Sequence, residues 1–203
     1  MLWRSDPGLP GPDMQFMFMH IPYHPTLQVP PNGYTFGIST VPQSRGWIKL
    51  ASADPDQPPL INPNYLDNEV DVQRLLLGIE RARELNATNA FAPWRKGEVL
   101  AGDDVRDEAG LRDFIARGTG TYYHPVGSCK LGIDDQAVVD PELKVHGLDG
   151  LRVADASIMP SIVCVNTNPT AIMIGEKAAD LIRGTRNRRV GDIQQLEQRD
   201  TAG

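Results

Sequence analysis

The sequence predicts a mixed fold of strands and helices, α/β in the α+β sense, and three observations carry that reading. The stretch MQFMFMHI (14–21) lies between Pro12 and Pro22 and is rich in residues that suit a sheet. From about Asp67 the apolar period changes: Val72, Leu75, Leu76, Ile79 and Ala82 fall on one face of a helix. Near the C-terminus, Asn168 and Pro169 form a helix start and Gly184 a helix stop.

The first 45 residues hold eight of the 17 prolines, so the apolar pattern there is broken and only 14–21 reads as a strand. His20, Tyr23 and His24 sit where it ends, the place for a pocket wall. GWIKLAS (46–52) alternates and reads as a second strand, and ADPDQPPLINPNYL is expected to be a loop because its prolines and asparagines oppose regular structure. The helix beginning near Asp67 takes Asn68 as its N-cap. A shorter helix is expected over Glu108 to Arg117, with Leu111, Phe114 and Ile115 on one face and Gly118 as its stop.

Residues 121–132, TYYHPVGSCKLG, raise the question of chemistry. His124 there is open to three readings: catalytic base, metal ligand or packed ring. If the segment is a regular strand, Tyr122 and Tyr123 point to opposite faces. Beyond it, QAVVDPELKVHGLDGLRVADAS holds short extended pieces with turns at Asp140-Pro141 and Gly147 to Gly150, Val153 in the last piece and Asp155 at its exit. A helix over Pro169 to Arg183 follows, capped by Asn168, and residues 185–203 read as a flexible tail.

Composition excludes several function classes. With 203 residues and 40% hydrophobic content the chain can bury a core. A formal net charge of −6 and the lack of a Lys/Arg stripe before the tail argue against nucleic acid as a partner. No apolar run reaches the roughly 20 residues that cross a bilayer, and the first residues lack a signal-peptide core, so a soluble cytoplasmic protein is expected. Cys129 and Cys164 lack zinc-site spacing, so no metal is expected, and they read as small buried hydrophobes. A thiol or metal hydrolase built on Cys129 and His124 is disfavoured because the two lie on one strand and turn and point poorly at each other.

Four segments in order, SRGWIKLASADPDQPPLINPNYL, YYHPVGSCKLG, GLRVADASIMP and NTNPTAIMIGEKAADLI, resemble the C-terminal part of the glucose-methanol-choline (GMC) oxidoreductases, in particular the choline dehydrogenase-like and alcohol dehydrogenase-like branch. The resemblance spans nearly residues 5–184. It implies an antiparallel substrate-domain sheet with helices over residues 1–120. Residues 121–184 would be the closing strand and helix of an FAD domain.

It also implies FAD as cofactor, hydride transfer from a primary alcohol to that flavin, and His124 as base or hydrogen-bond partner of the alcohol oxygen. A second group, Asn or His, falls eleven positions after the Asp of the Asp-Ala-Ser segment; from Asp155 this is Asn166. Asn168 is its rival, assigned instead to the flavin contact together with Thr167 and Pro169. Asp155 and Ala156 match the stretch beside the ribityl and diphosphate portion. The helix that starts at Pro169 would set its positive end against the anionic edge of the reduced ring.

The chemistry needs such groups. Hydride leaves a carbinol carbon readily only if the hydroxyl proton departs, which a neutral imidazole accepts near physiological pH. A carboxamide donates to the developing alkoxide without titrating.

No Gly-x-Gly-x-x-Gly turn occurs in the chain. The family resemblance therefore implies that the dinucleotide-binding N-terminal half is a required partner, and the chain by itself is expected to bind FAD weakly and to be inactive. The alternative is a truncated, non-catalytic interaction module.

Overall fold

A computed structural model describes residues 1–184; the tail expected at 185–203 lies outside the described residues. The described residues fall into two units, one of Met1–His124 with Ile162–Asn166, the other of Pro125–Ser161 with the residues from Thr167 onward.

The first unit is built on a three-stranded antiparallel sheet in the order β1 (Leu2–Trp3), β2 (Met14–Met19), β3 (Thr35–Thr40). β2 is central and pinned on both sides: Gln15 is in register with Leu2 and with Ser39, and Phe16 with Ile38. Alternation sets its two faces. Met14 and Phe16 are buried, and the opposite face presents Gln15, Met17 and Met19. Gly37 lies across from Met17; a Cβ there would come within 3.1 Å of the Met17 methyl, so the glycine leaves that side chain its space.

A separate hairpin pairs β4 (Trp47–Lys49) with β5 (Leu60–Asn62). The second strand falls inside the stretch expected to be a loop. Pro59 and Pro63 bracket it, and proline is tolerated at strand ends, where its missing N–H breaks no ladder. Gly46 lets the two chains approach: a Cβ on it would lie 2.2 Å from the Asn62 carbonyl oxygen. Both strands are largely exposed, Ile61 at 65%.

α1 (Glu69–Ala87) packs against β2 and β3. Asn68 caps it as expected, its side chain accepting from the Val70 N–H at 2.9 Å. Val72 and Ile79 are buried on the anticipated face, and Gly78 lets the helix sit close to the sheet, since a Cβ there would meet Ile38 at 2.8 Å and the Met14 methyl at 2.9 Å. Two buried acids fasten this layer. Asp71, in the first turn of α1, accepts from the backbone N–H of Gln43 at 2.7 Å and of Ser44 at 2.8 Å, and from the Ser44 hydroxyl. Asp13, just before β2, pairs with Arg74 of α1 at 2.8 Å and accepts from the Ser5 N–H.

α2 (Glu108–Gly118) is capped by Asp107, which accepts from the Gly110 N–H, and packs on α1. Gly118 is its last residue and not its stop; the chain leaves the helix at Thr119, whose backbone is extended. Arg112 of α2 ion-pairs with Glu69 of α1.

The second unit has little regular structure before its helix. Isolated bridges join Leu131 to Val139, Val139 to Val145 and Lys144 to Arg152. Asp155 caps a 3-10 helix, Ala156–Ile158. α3 (Asn168–Arg183) packs on that turn and ends at Gly184 in the left-handed conformation, φ 67°. Its start differs by one residue from expectation: Asn168 is the first helical residue, and Thr167 holds the cap position. Among the described residues of this unit, Val139, Leu143, Ile158, Met159, Ile174 and Ala178 are the buried apolar ones. No described helix is long and apolar enough to cross a membrane.

Candidate active site

The face of β2 opposite α1 carries Gln15 and Met17, which bond to Asn166 and Tyr122. Gln15 and Met17 lie two residues apart on it, hence about 7 Å apart along the strand; the first holds Asn166 and the second holds Tyr122, whose ring packs on His124. Gln15 donates from Nε2 to Oδ1 of Asn166 at 3.2 Å. The Tyr122 hydroxyl donates to the Met17 sulfur, and the Tyr122 ring meets His124 edge to face, with centroids 4.8 Å apart and planes at 78°. Asn166 directly, and His124 through Tyr122, are thus linked to neighbouring positions on one side of one strand, although 42 residues separate them in sequence.

Local backbone explains the placement of His124. Residues 121–126 do not form a strand, contrary to the regular alternation considered for the two tyrosines. Tyr123 has φ 61°, a left-handed conformation that costs a non-glycine residue about 1 kcal/mol. The rings of Tyr122 and His124 meet on either side of that kink, and Tyr123 between them is 71% exposed. Pro125 then keeps His124 itself out of the helical region. His124 is half-buried; Asn166 is exposed in the described chain.

His24, raised as a pocket-wall residue, has a structural role. Its Nδ1 accepts from the N–H of Leu27 at 2.9 Å and of Thr26 at 3.1 Å, closing a turn, and burial lowers its pKa.

The residues expected to contact flavin, Asp155, Ala156, Thr167, Asn168 and Pro169, all belong to the second unit. Asp155 accepts from the Ser157 N–H at 2.7 Å. Hydrogen bonds from the Ser157 side chain and backbone hold its carboxyl below the usual range. Ala156 opens the 3-10 helix, small enough for close approach to its backbone. Thr167 is buried, whereas Asn168 and Pro169 are exposed at the first turn of α3, where backbone N–H groups and the helix dipole favour a negative charge. This donor set fits the anionic edge of a flavin and offers small residues beside it.

Gln15 and Met17 escaped the sequence reading. The only signal for them was the period of two in 14–19, which sets both opposite the buried Met14 and Phe16; nothing in the sequence linked that face to residues 122–124 or 166.

Residues 42–175 match the GMC oxidoreductase family model, and that span includes His124, Asp155 and Asn166. Human mitochondrial choline dehydrogenase is 41% identical over 186 residues, covering 89% of this chain and 31% of that protein. The oxygen-dependent choline dehydrogenase of Proteus mirabilis is 41% identical over 184 residues, covering 89% and 33%. Among solved structures, pyridoxine 4-oxidase from Mesorbium loti superposes with a TM-score of 0.82 at 28% identity, covering 92% of this chain and 38% of that one. A formate oxidase from Aspergillus oryzae, solved in work on modification of its FAD, gives 0.80 at 31% identity, covering 87% and 32%. The chain belongs to the GMC oxidoreductases, a family of FAD-dependent flavoenzymes, and it spans about a third of the length of the relatives it matches.

Proposed function

We propose that this chain supplies the alcohol-activating residues of an FAD-dependent enzyme that oxidises a primary alcohol to an aldehyde. It works together with an N-terminal FAD-binding part, a reading supported by its spanning only about a third of its relatives' length, and is inactive without it. The observation that carries this reading is that Asn166, and the tyrosine whose ring packs on His124, are tethered to adjacent positions on one face of β2.

His124 takes the hydroxyl proton of the alcohol, and its contact with Tyr122 fixes the plane of the imidazole. Asn166 donates an N–H to the same oxygen as negative charge grows on it, and does so at any ordinary pH because a carboxamide does not titrate there. FAD, when bound, accepts the hydride from the carbinol carbon. Asn168 and Pro169, at the positive end of α3, face the anionic edge of the ring system, with Thr167 beside them. Asp155 and Ala156 line the ribityl and diphosphate portion. Residues 1–120 serve as the substrate-binding part and 121–184 as the closing segment of the FAD domain. The location proposed is cytoplasmic.

The test joins the chain to a GMC N-terminal part and follows anaerobic flavin reduction by a primary alcohol. Replacement His124→Ala should slow reduction by about two to four orders of magnitude, the range for a lost positioned base. A rate within a few-fold of the parent would refute the assignment.

A further inference from the structure

We infer that Gln15 is a positioning residue that sets which end of the Asn166 carboxamide faces the substrate. The inference rests on the preceding reading, that Asn166 acts on the alcohol oxygen, and extends it to a residue with no chemistry of its own.

A primary amide has two ends of nearly equal size and opposite character, an acceptor oxygen and a donor NH2. Its terminal torsion is broad and roughly two-fold, so the side chain has little intrinsic reason to choose one orientation. For a developing alkoxide the choice is decisive, because Nδ2 donates to it and Oδ1 repels it. Asn166 is exposed and lies outside any helix or strand. Packing therefore does little to orient it.

Gln15 supplies the missing constraint. Its Nε2 donates to Asn166 Oδ1 at 3.2 Å; turning the Asn166 amide over would set NH2 against NH2. With Oδ1 engaged by Gln15, Nδ2 is the end left to donate elsewhere. The Gln15 backbone is firmly placed, in the central strand between Leu2 on one side and Ser39 on the other, so its amide reaches Asn166 from a fixed point. A rigid strand thereby transmits its position to a loop residue.

The sharpest variant is Gln15→Glu, nearly isosteric but with acceptors only, which should draw Nδ2 of Asn166 toward position 15 and turn Oδ1 outward. Two readouts separate the inference from the reading beneath it. In the 203-residue chain, labelled at side-chain nitrogen, Gln15→Glu should shift the Asn166 NH2 resonances downfield and slow their solvent exchange; unchanged resonances overturn the inference. In the completed enzyme the same change should slow flavin reduction about 10- to 100-fold with substrate Kd little altered. Gln15→Lys, which retains a donor, should keep most of the rate, and Gln15→Leu, with neither donor nor acceptor, should fall between. A Gln15→Glu enzyme at parental rate, while Asn166→Ala is slow, overturns the positioning role and leaves Asn166 in place. If Asn166→Ala is also fast, the reading of Asn166 fails and takes the inference with it.

Discussion

The layer of α1 on the β1–β3 sheet and the turn-rich residues 121–168 are held in contrasting ways. In the first, regular elements bury Met14, Phe16, Val72 and Ile79 between them, and two buried carboxylates, Asp13 and Asp71, tie loops and helix together. In the second, isolated bridges, capped turns and a left-handed Tyr123 do the holding. All the residues assigned to chemistry or flavin contact lie in this second stretch or at the first turn of α3. The contrast teaches a division of labour within the first unit: the packed layer supplies a stiff reference surface, the far face of β2, and irregular segments of the same unit bring Asn166 and the Tyr122–His124 pair to it. Loops can do so because their backbone adopts conformations a strand or helix cannot.

Substitutions should separate the two regions by which property they change. The largest expected effect is the loss of two to four orders of magnitude in flavin reduction for His124→Ala, with a melting temperature close to the parent's. A large loss of Tm in that variant would show instead that His124 belongs to the packed layer.

Next comes Asp71→Ala, which leaves the N–H groups of Gln43 and Ser44 and the Ser44 hydroxyl without their acceptor. It should cost about 3 kcal/mol in stability, roughly 10 °C in Tm, and leave reduction in the folded enzyme nearly unchanged. Chemical denaturation measures the first figure directly.

A smaller effect is expected at His24. Burial holds its folded pKa below the ordinary value near 6.5, so the unfolded chain takes up the proton first as pH falls. Stability from this group is complete above about 6.5 and is lost progressively as pH drops toward the lowered folded value. His24→Asn keeps an acceptor for Thr26 and Leu27 but does not titrate. Its unfolding midpoint should vary less between about pH 7 and about pH 5 than the parent's.

Elements with a long single period could be read directly. α1, its Asn68 cap and the Gly184 stop of α3 all follow from local spacing and capping chemistry. β3 and β5 were not legible, because Gly37 interrupts the one and prolines crowd the other, and each becomes a strand only by pairing with a partner that the sequence does not name. Asp71 escaped for a related reason: its acceptor role depends on a loop 27 residues away. Of the proposed site, His124, Asp155 and Asn166 were assigned through the resemblance to a family. Composition and periodicity could not have singled them out. Gln15 was invisible to both approaches, since its importance lies in a contact across 151 positions of sequence.

The most direct test of the common face is a double-mutant cycle in the completed enzyme, measuring anaerobic flavin reduction for His124→Ala, Asn166→Ala and the pair. If both groups act on one oxygen atom, the double variant should be slower than either single but clearly less impaired than the product of their separate losses. Losses that multiply cleanly would mean that the imidazole and the carboxamide serve separate places, and would contradict the account.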